Sequence, residues 1–249
     1  MSSPLHVLRV GRGPTVLFIH GSAADHTTWS IQLNGTLAER FTLVAYDRRK
    51  DATTVEQHAA DAAELLAAER ALVVGSSFGS VIALELVRTR PALVAGAILI
   101  EPPMAASDAL EAASIAFVAE FDRRQKEQGG PAAAEFFLRF VLGDAAYERM
   151  PRAFQERSKQ MWAEIRADSA ALLAYKPRYP ELASVDVPVL LLGGERSATY
   201  FRPTLDALEA ALPRARIETV PRAGHMLHAE ASRRFAQLMI AFAEEVGIE

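Results

Sequence analysis

Ala71-Leu72-Val73-Val74, then Gly75-Ser76-Ser77-Phe78-Gly79, then Val81-Ile82-Ala83-Leu84-Glu85-Leu86: this stretch decides the fold. An apolar run of strand type leads into a small-residue turn, and a helix-like run leaves it. That is the strand–turn–helix setting in which G-x-S-x-G presents a serine as a nucleophile. The glycines permit a tight, strained turn. The turn lifts the Ser77 hydroxyl above a sheet, beside a helix N-terminus that favours negative charge. The pentapeptide alone also fits an ordinary turn packed under a helix, so its context carries the reading.

Working outward, short segments alternate in type. Leu5 to Val10 reads as a strand, ended by Gly11-Arg12-Gly13-Pro14. Thr15 to Ile19 is a buried-strand run that ends at His20-Gly21. Trp29 to Arg40 reads as a helix, Thr42 to Tyr46 as a strand, and Thr54 to Glu69 as a helix. The helix after the turn should run to about Arg90, followed by a strand at Gly96 to Ile100. Beyond Pro102-Pro103 the chain becomes Ala-rich and helical, with breaks at Gly129-Gly130-Pro131, Pro151, Pro177 and Pro180. Alternation resumes with a strand at Val187 to Leu192, a helix at Pro203 to Leu212, a strand at Ala215 to Val220 and a helix at Glu230 to Val246. The expected fold is α/β: a mostly parallel, doubly wound sheet, with residues 1–103 and 184–249 as core and 104–183 as a helical cap over the strand ends.

Composition narrows the function. The chain has 249 residues, 50% of them hydrophobic, enough for one large core. A net charge of −4 without a long run of like charge disfavours nucleic acid as a partner. No cysteine is present, which removes disulfides, thiol chemistry and thiolate metal sites. Met1 to His6 lacks the basic start and apolar core of a signal peptide, and no apolar run is long enough to span a bilayer. The expectation is a cytoplasmic protein without membrane attachment, acting as a monomer or homodimer.

Acyl transfer by serine needs a base, an acid to orient that base, and donors for the oxyanion. In Ala223-Gly224-His225-Met226, His225 follows the last strand and is the candidate base, with His228 as a neighbour of structural role. The oxyanion donors should be the backbone N–H of Phe78 and that of Ser22 or Ala23. The acid is less obvious. The turn after the strand at Val189 to Leu192 reads Gly193-Gly194-Glu195-Arg196-Ser197, with a serine where a carboxylate is expected. Glu101, directly after an aliphatic strand, is the preferred acid, and Glu195 the alternative. Met104, Trp29 and Met226 are candidate pocket residues. No metal-ligand spacing appears, and no cofactor is expected.

His20-Gly21-Ser22, Tyr46-Asp47-Arg48-Arg49, Gly75 to Gly79, Glu101-Pro102-Pro103 and Gly224-His225 together resemble the α/β-hydrolase superfamily, in its capped, esterase- and lipase-like branch. The resemblance covers essentially the whole chain. The acid's place after the strand that follows the Ser77 helix is similar to that in zearalenone lactonases. The resemblance implies hydrolysis of an ester or lactone of an apolar small molecule. A serine nucleophile disfavours the haloalkane and epoxide chemistry of aspartate-bearing relatives. Acyl transfer, cyclisation or carbon–carbon cleavage by the same triad stays open, as does a receptor with a vestigial triad. In place of the glycine-rich loop usual after Asp-Arg, the chain reads Arg48-Arg49-Lys50-Asp51-Ala52, which by itself reads as a solvated turn.

Overall fold

The computed structural model describes residues 5–176 and 178–248. Seven strands form one sheet: β1 Val7–Gly11, β2 Thr15–Ile19, β3 Thr42–Tyr46, β4 Ala71–Ser76, β5 Val94–Ile100, β6 Val189–Gly194 and β7 Ala215–Val220. Their order is β1-β3-β2-β4-β5-β6-β7. Only the β1–β3 pairing is antiparallel, so the other six strands end on the same edge.

Alternation along each strand feeds two cores. Leu17, Ile19, Val73, Leu99 and Leu191 point to one face, against α2 Val55–Leu66, α3 Phe78–Thr89 and α10 Phe201–Ala211. Val16, Phe18, Val74, Ile98 and Leu190 point to the other, against α1 Ser30–Leu33 and α12 Ser232–Glu245. With both faces covered, the inner strands must be apolar throughout, which is why they read as unbroken runs, whereas the edge strands β1 and β7 carry Arg9, Arg216 and Glu218. The central strands β2, β4 and β5 are buried at every position.

The expected helix at Trp29 to Arg40 is corrected. A 3₁₀ turn spans His26–Trp29, α1 covers only Ser30–Leu33, and another 3₁₀ turn spans Thr36–Glu39. Trp29, Leu33 and Leu37 are buried at four-residue intervals, which produces the helical signal. Asn34-Gly35 interrupts it, with Gly35 in extended conformation. The last expected helix is present as α12 Ser232–Glu245, and a short α11 Leu227–Glu230 precedes it.

Between β5 and β6 the chain is helical: α4 Asp108–Gln128, α5 Gly130–Leu142, α6 Asp144–Arg149, α7 Arg152–Gln160, α8 Trp162–Ala174 and α9 Tyr179–Leu182. Ser107 caps α4 by accepting from the Leu110 N–H, and Gly129 and Gly143 end α4 and α5 at positive φ. This insertion has its own apolar cluster of Phe121, Ala133, Leu138, Tyr147 and Ile165. Ala23, from the loop after β2, belongs to the same cluster and joins the insertion to the strand ends. Among the described residues, no helix is long and apolar enough to cross a membrane.

Candidate active site

Ser77 follows β4 and caps the start of α3, with φ 53° and ψ −121°. Its neighbourhood explains the glycines. A Cβ on Gly79 would fall 2.2 Å from the Ile19 carbonyl oxygen, and one on Gly75 would fall 2.3 Å from that of Gly79. No side chain fits at either point. The Ser77 N–H donates to the Ile100 carbonyl (2.8 Å), and the Ser80 hydroxyl spans the Gly75 and Ile100 carbonyls at 2.8 and 2.9 Å. The serine turn is thereby fastened to the end of β5.

Glu101 directly follows that strand. It is 1% exposed and holds φ 45°, a costly value for a residue with a side chain. Its N–H donates to the Leu192 carbonyl at 3.1 Å. One carboxylate oxygen, Oε1, accepts from the Gly194 N–H at 2.7 Å, and the other, Oε2, lies 2.6 Å from His225 Nδ1. A carboxylate only accepts, so the hydrogen sits on Nδ1, and Nε2 is left as the basic nitrogen. Phe201, at the start of α10, stacks on the His225 ring at 4.5 Å and 6°, fixing its plane. The structure thus joins Glu101 to His225 and sets Ser77 on the neighbouring strand end. Ser77 makes no side-chain hydrogen bond among the described residues.

The other predicted residues separate. Glu195 is exposed, and its Oε2 accepts from the Arg222 N–H at 2.7 Å, so it braces the turn after β7 and does not contact His225. Phe78 supplies the first N–H of α3, a donor without a partner inside the helix. Ser22 lines the cavity beside Ser77, while Ala23 turns the loop at φ 56°. Of the pocket candidates, Met104 lines that cavity. Trp29 does not: it is fully buried under the sheet, packed on Phe18 and His228 at 4.8 and 4.6 Å. Met226 precedes α11 and is not among the lining residues. His228 is buried beside Trp29, and burial together with the nearby His225 pulls its pKa down to about 3, so it stays neutral.

The cavity, about 150 Å³, lies between the strand ends and the insertion. Phe117, Phe137, Phe140, Leu172 and Met104 give it an apolar wall, and none of the described residues lining it is charged. Tyr200 stacks on Phe140 at 5.0 Å across the junction of insertion and core.

The basic run is corrected too. Arg48 is not solvated. Its side chain is 7% exposed and pairs in bidentate fashion with Asp168 of α8, at 2.9 and 2.7 Å. Arg49 pairs with Asp61 at 2.8 Å and Lys50 with Glu164 at 2.6 Å. Asp168 was discoverable, since it lies three residues beyond buried Ile165 and three before buried Ala171, on the helix's apolar stripe. A lone acid there requires a partner. One group among the described residues, His6, His26 and Asp47, brings metal-ligating atoms within 4.8 Å of one another. None of the three lines the cavity. Asp47 there accepts from both the backbone N–H and Nδ1 of His26, at 2.9 and 2.8 Å, and so braces a loop.

A parallel sheet with a serine turn after β4, a carboxylate–histidine pair at the neighbouring strand ends and a helical insertion above them is the architecture of an α/β-hydrolase. The chain belongs to the alpha/beta hydrolase family, which it matches over residues 16–238. It is 23% identical to a carboxylesterase, YbfK, of Bacillus subtilis (strain 168), covering 95% of this chain and 83% of that protein. It is 25% identical to a pimeloyl-[acyl-carrier protein] methyl ester esterase of Stenotrophomonas maltophilia, covering 89% of each. Among solved structures, a thermophilic esterase from Thermogutta terrifontis superposes with a TM-score of 0.78 at 23% identity, covering 97% of this chain and 93% of that one.

Proposed function

We propose that this chain is a serine carboxylic-ester hydrolase acting on an ester or lactone of an apolar small molecule, with Ser77 as nucleophile, His225 as base and Glu101 as acid. The observation that carries the reading is the buried 2.6 Å contact between Glu101 and His225, one strand away from a serine held at positive φ. Burying a carboxylate at 1% exposure is costly unless charge or hydrogen bonds meet it. An imidazole that becomes positive during the reaction is a fitting partner. The relatives named as carboxylesterase and methyl ester esterase support the same chemistry.

The steps follow from the atoms. Ser77 Oγ attacks the carbonyl carbon while His225 Nε2 takes its proton. The negative oxygen is received by the N–H of Phe78 and that of Ser22 or Ala23. The carbonyl re-forms as the alcohol leaves with the proton from His225. Water then repeats the sequence on the acyl-enzyme and releases the acid. Residues 104–183 act as a cap, and the uncharged wall of the cavity favours an aliphatic or aryl acyl group.

The test is a screen of p-nitrophenyl esters of graded chain length and of lactones of graded ring size, run in ¹⁸O-labelled water. Hydrolysis places solvent oxygen in the acid product, whereas acyl transfer or cyclisation does not. Ser77→Ala should abolish turnover and labelling by a fluorophosphonate. Retention of either would refute the assignment.

A further inference from the structure

The loop that carries the second oxyanion donor is anchored from outside the sheet. The Gly21 carbonyl accepts from Arg48 Nη2 at 3.2 Å and lies 2.8 Å from His20 Nδ1. The Ser22 hydroxyl donates to Asp168 Oδ2 at 2.7 Å. The Ala23 carbonyl accepts from the Ser158 hydroxyl at 3.1 Å, and its methyl group packs in the insertion's cluster. Asp168 lies on α8 and Ser158 on α7, so consecutive residues of one short turn are held by two insertion helices and by the arginine that α8 neutralises. Ala23 needs that support, since its φ of 56° is unfavourable for a residue with a Cβ. Arg48 also lies over the Phe78 ring, 4.7 Å from its centroid, beneath the other donor. Two buried histidines flank it as neutral groups: His20 accepts the Arg48 backbone N–H at Nε2 (3.2 Å), and His58 Nε2 sits 3.4 Å from Nη1. Burial, helped by the Arg48 charge, pulls their pKa values down to about 3 and about 4.

We propose that Asp168 is a positioning residue for the oxyanion site. Directly through Ser22, and through Arg48 to Gly21, it fixes the turn whose N–H receives the developing charge. Seating α7 and α8 and readying the site for chemistry are then one event. The inference rests on the oxyanion assignment made under the proposed function.

The experiment compares wild type with Asp168→Asn, which keeps the shape but removes the charge and puts an NH₂ in place of one of the two oxygens that together accept from Arg48 Nη1, Arg48 Nη2 and the Ser22 hydroxyl. Amide exchange of residues 20–25 should rise by about tenfold or more, with residues 71–100 unchanged, because only a local anchor is lost. With p-nitrophenyl butyrate, kcat should fall about 10- to 100-fold at a KM within about threefold, the signature of a displaced catalytic donor. A trifluoromethyl ketone, whose adduct bears the oxyanion, should lose affinity in step with kcat/KM. Unchanged exchange at residues 20–25 would overturn the proposal, as would faster exchange with unchanged kcat and ketone affinity. Should Asp168→Asn not fold, Ser22→Ala removes only the direct bond to Asp168, keeps the backbone N–H and the ion pair, and should show the same pattern at about three- to tenfold, with the same two refuting results. The exchange measurement needs no turnover. A wild type inert to every ester would therefore overturn the hydrolase reading without touching the anchoring result.

Discussion

Replacing Glu101 with Gln tests the site most sharply, because both carboxylate oxygens have a donor to satisfy. Oε1 accepts from the Gly194 N–H at 2.7 Å and Oε2 faces His225 Nδ1 at 2.6 Å. An amide offers one oxygen and one NH₂. If the oxygen stays on Gly194, the NH₂ faces Nδ1, the imidazole hydrogen moves to Nε2, and no base remains for Ser77. If the amide turns over, the tautomer survives but two donors confront each other at Gly194. A buried donor left unpaired costs about 1–3 kcal/mol, which leaves the working orientation about 5- to 150-fold depleted. The positive imidazole also loses its counter-charge. In the serine-protease triad the comparable change lowers kcat by about 10⁴, or about 5 kcal/mol. The expected fall in kcat for Glu101→Gln therefore lies between about 10² and 10⁴, read from saturating initial rates on p-nitrophenyl butyrate. Glu195→Gln should be near wild type, since Glu195 is occupied with Arg222. A Glu101→Gln enzyme within about threefold of wild type, or equal losses for the two variants, would refute the assignment.

Gly79→Ala should fail to give a cooperatively folded protein or should lower stability by more than about 3 kcal/mol, because its Cβ meets the Ile19 and His20 carbonyl oxygens at the end of β2, which cannot move aside; a normal thermal transition would contradict this. Acid should destabilise the fold in a defined window. His20, His58 and His228 are held by burial at about 3, about 4 and about 3, below the ordinary 6.5, so their contribution is complete above pH 6.5 and declines as pH falls toward those values. Each can cost about 1.4 kcal/mol per pH unit in that range, so the urea midpoint at pH 5 should lie clearly below that at pH 7. Phe140→Ala should open the Phe140–Tyr200 junction and raise kcat/KM for bulky acyl esters relative to acetyl; an unchanged chain-length profile would place substrate elsewhere.

Much of the framework is readable in the chain because two-faced burial forces it. A sheet covered on both sides needs apolar strands, and Thr15 to Ile19 and Ala71 to Val74 can hardly read otherwise. The serine turn shows itself through glycines whose absent side chains are required by contact. Glu101 stands out because an acid directly after Ile100 sits where the sheet is still buried. Segments governed by distant partners stay hidden. Trp29, Leu33 and Leu37 mimic a helix while packing as interrupted turns under α12. Trp29 resembles a pocket aromatic, although its contacts lie beneath the sheet. Arg48 and Arg49 look solvated because their acids, Asp168 of α8 and Asp61 of α2, lie on other elements, whereas Lys50 is exposed as read although it meets Glu164. Local pattern carries no record of such pairings.

Delivery of a carboxylate by β5 has a consequence for variation in this scaffold. Ser76 and Ile100 are register partners, so residues 77 and 101 emerge side by side from hydrogen-bonded strands. If Glu101 is the acid as proposed, the segment from Arg196 to Tyr200 need not supply one, and it can be diversified while Glu195 keeps its bond to Arg222. Libraries that randomise that segment should yield many active clones with altered substrate range, and it is the natural place to begin re-engineering this protein.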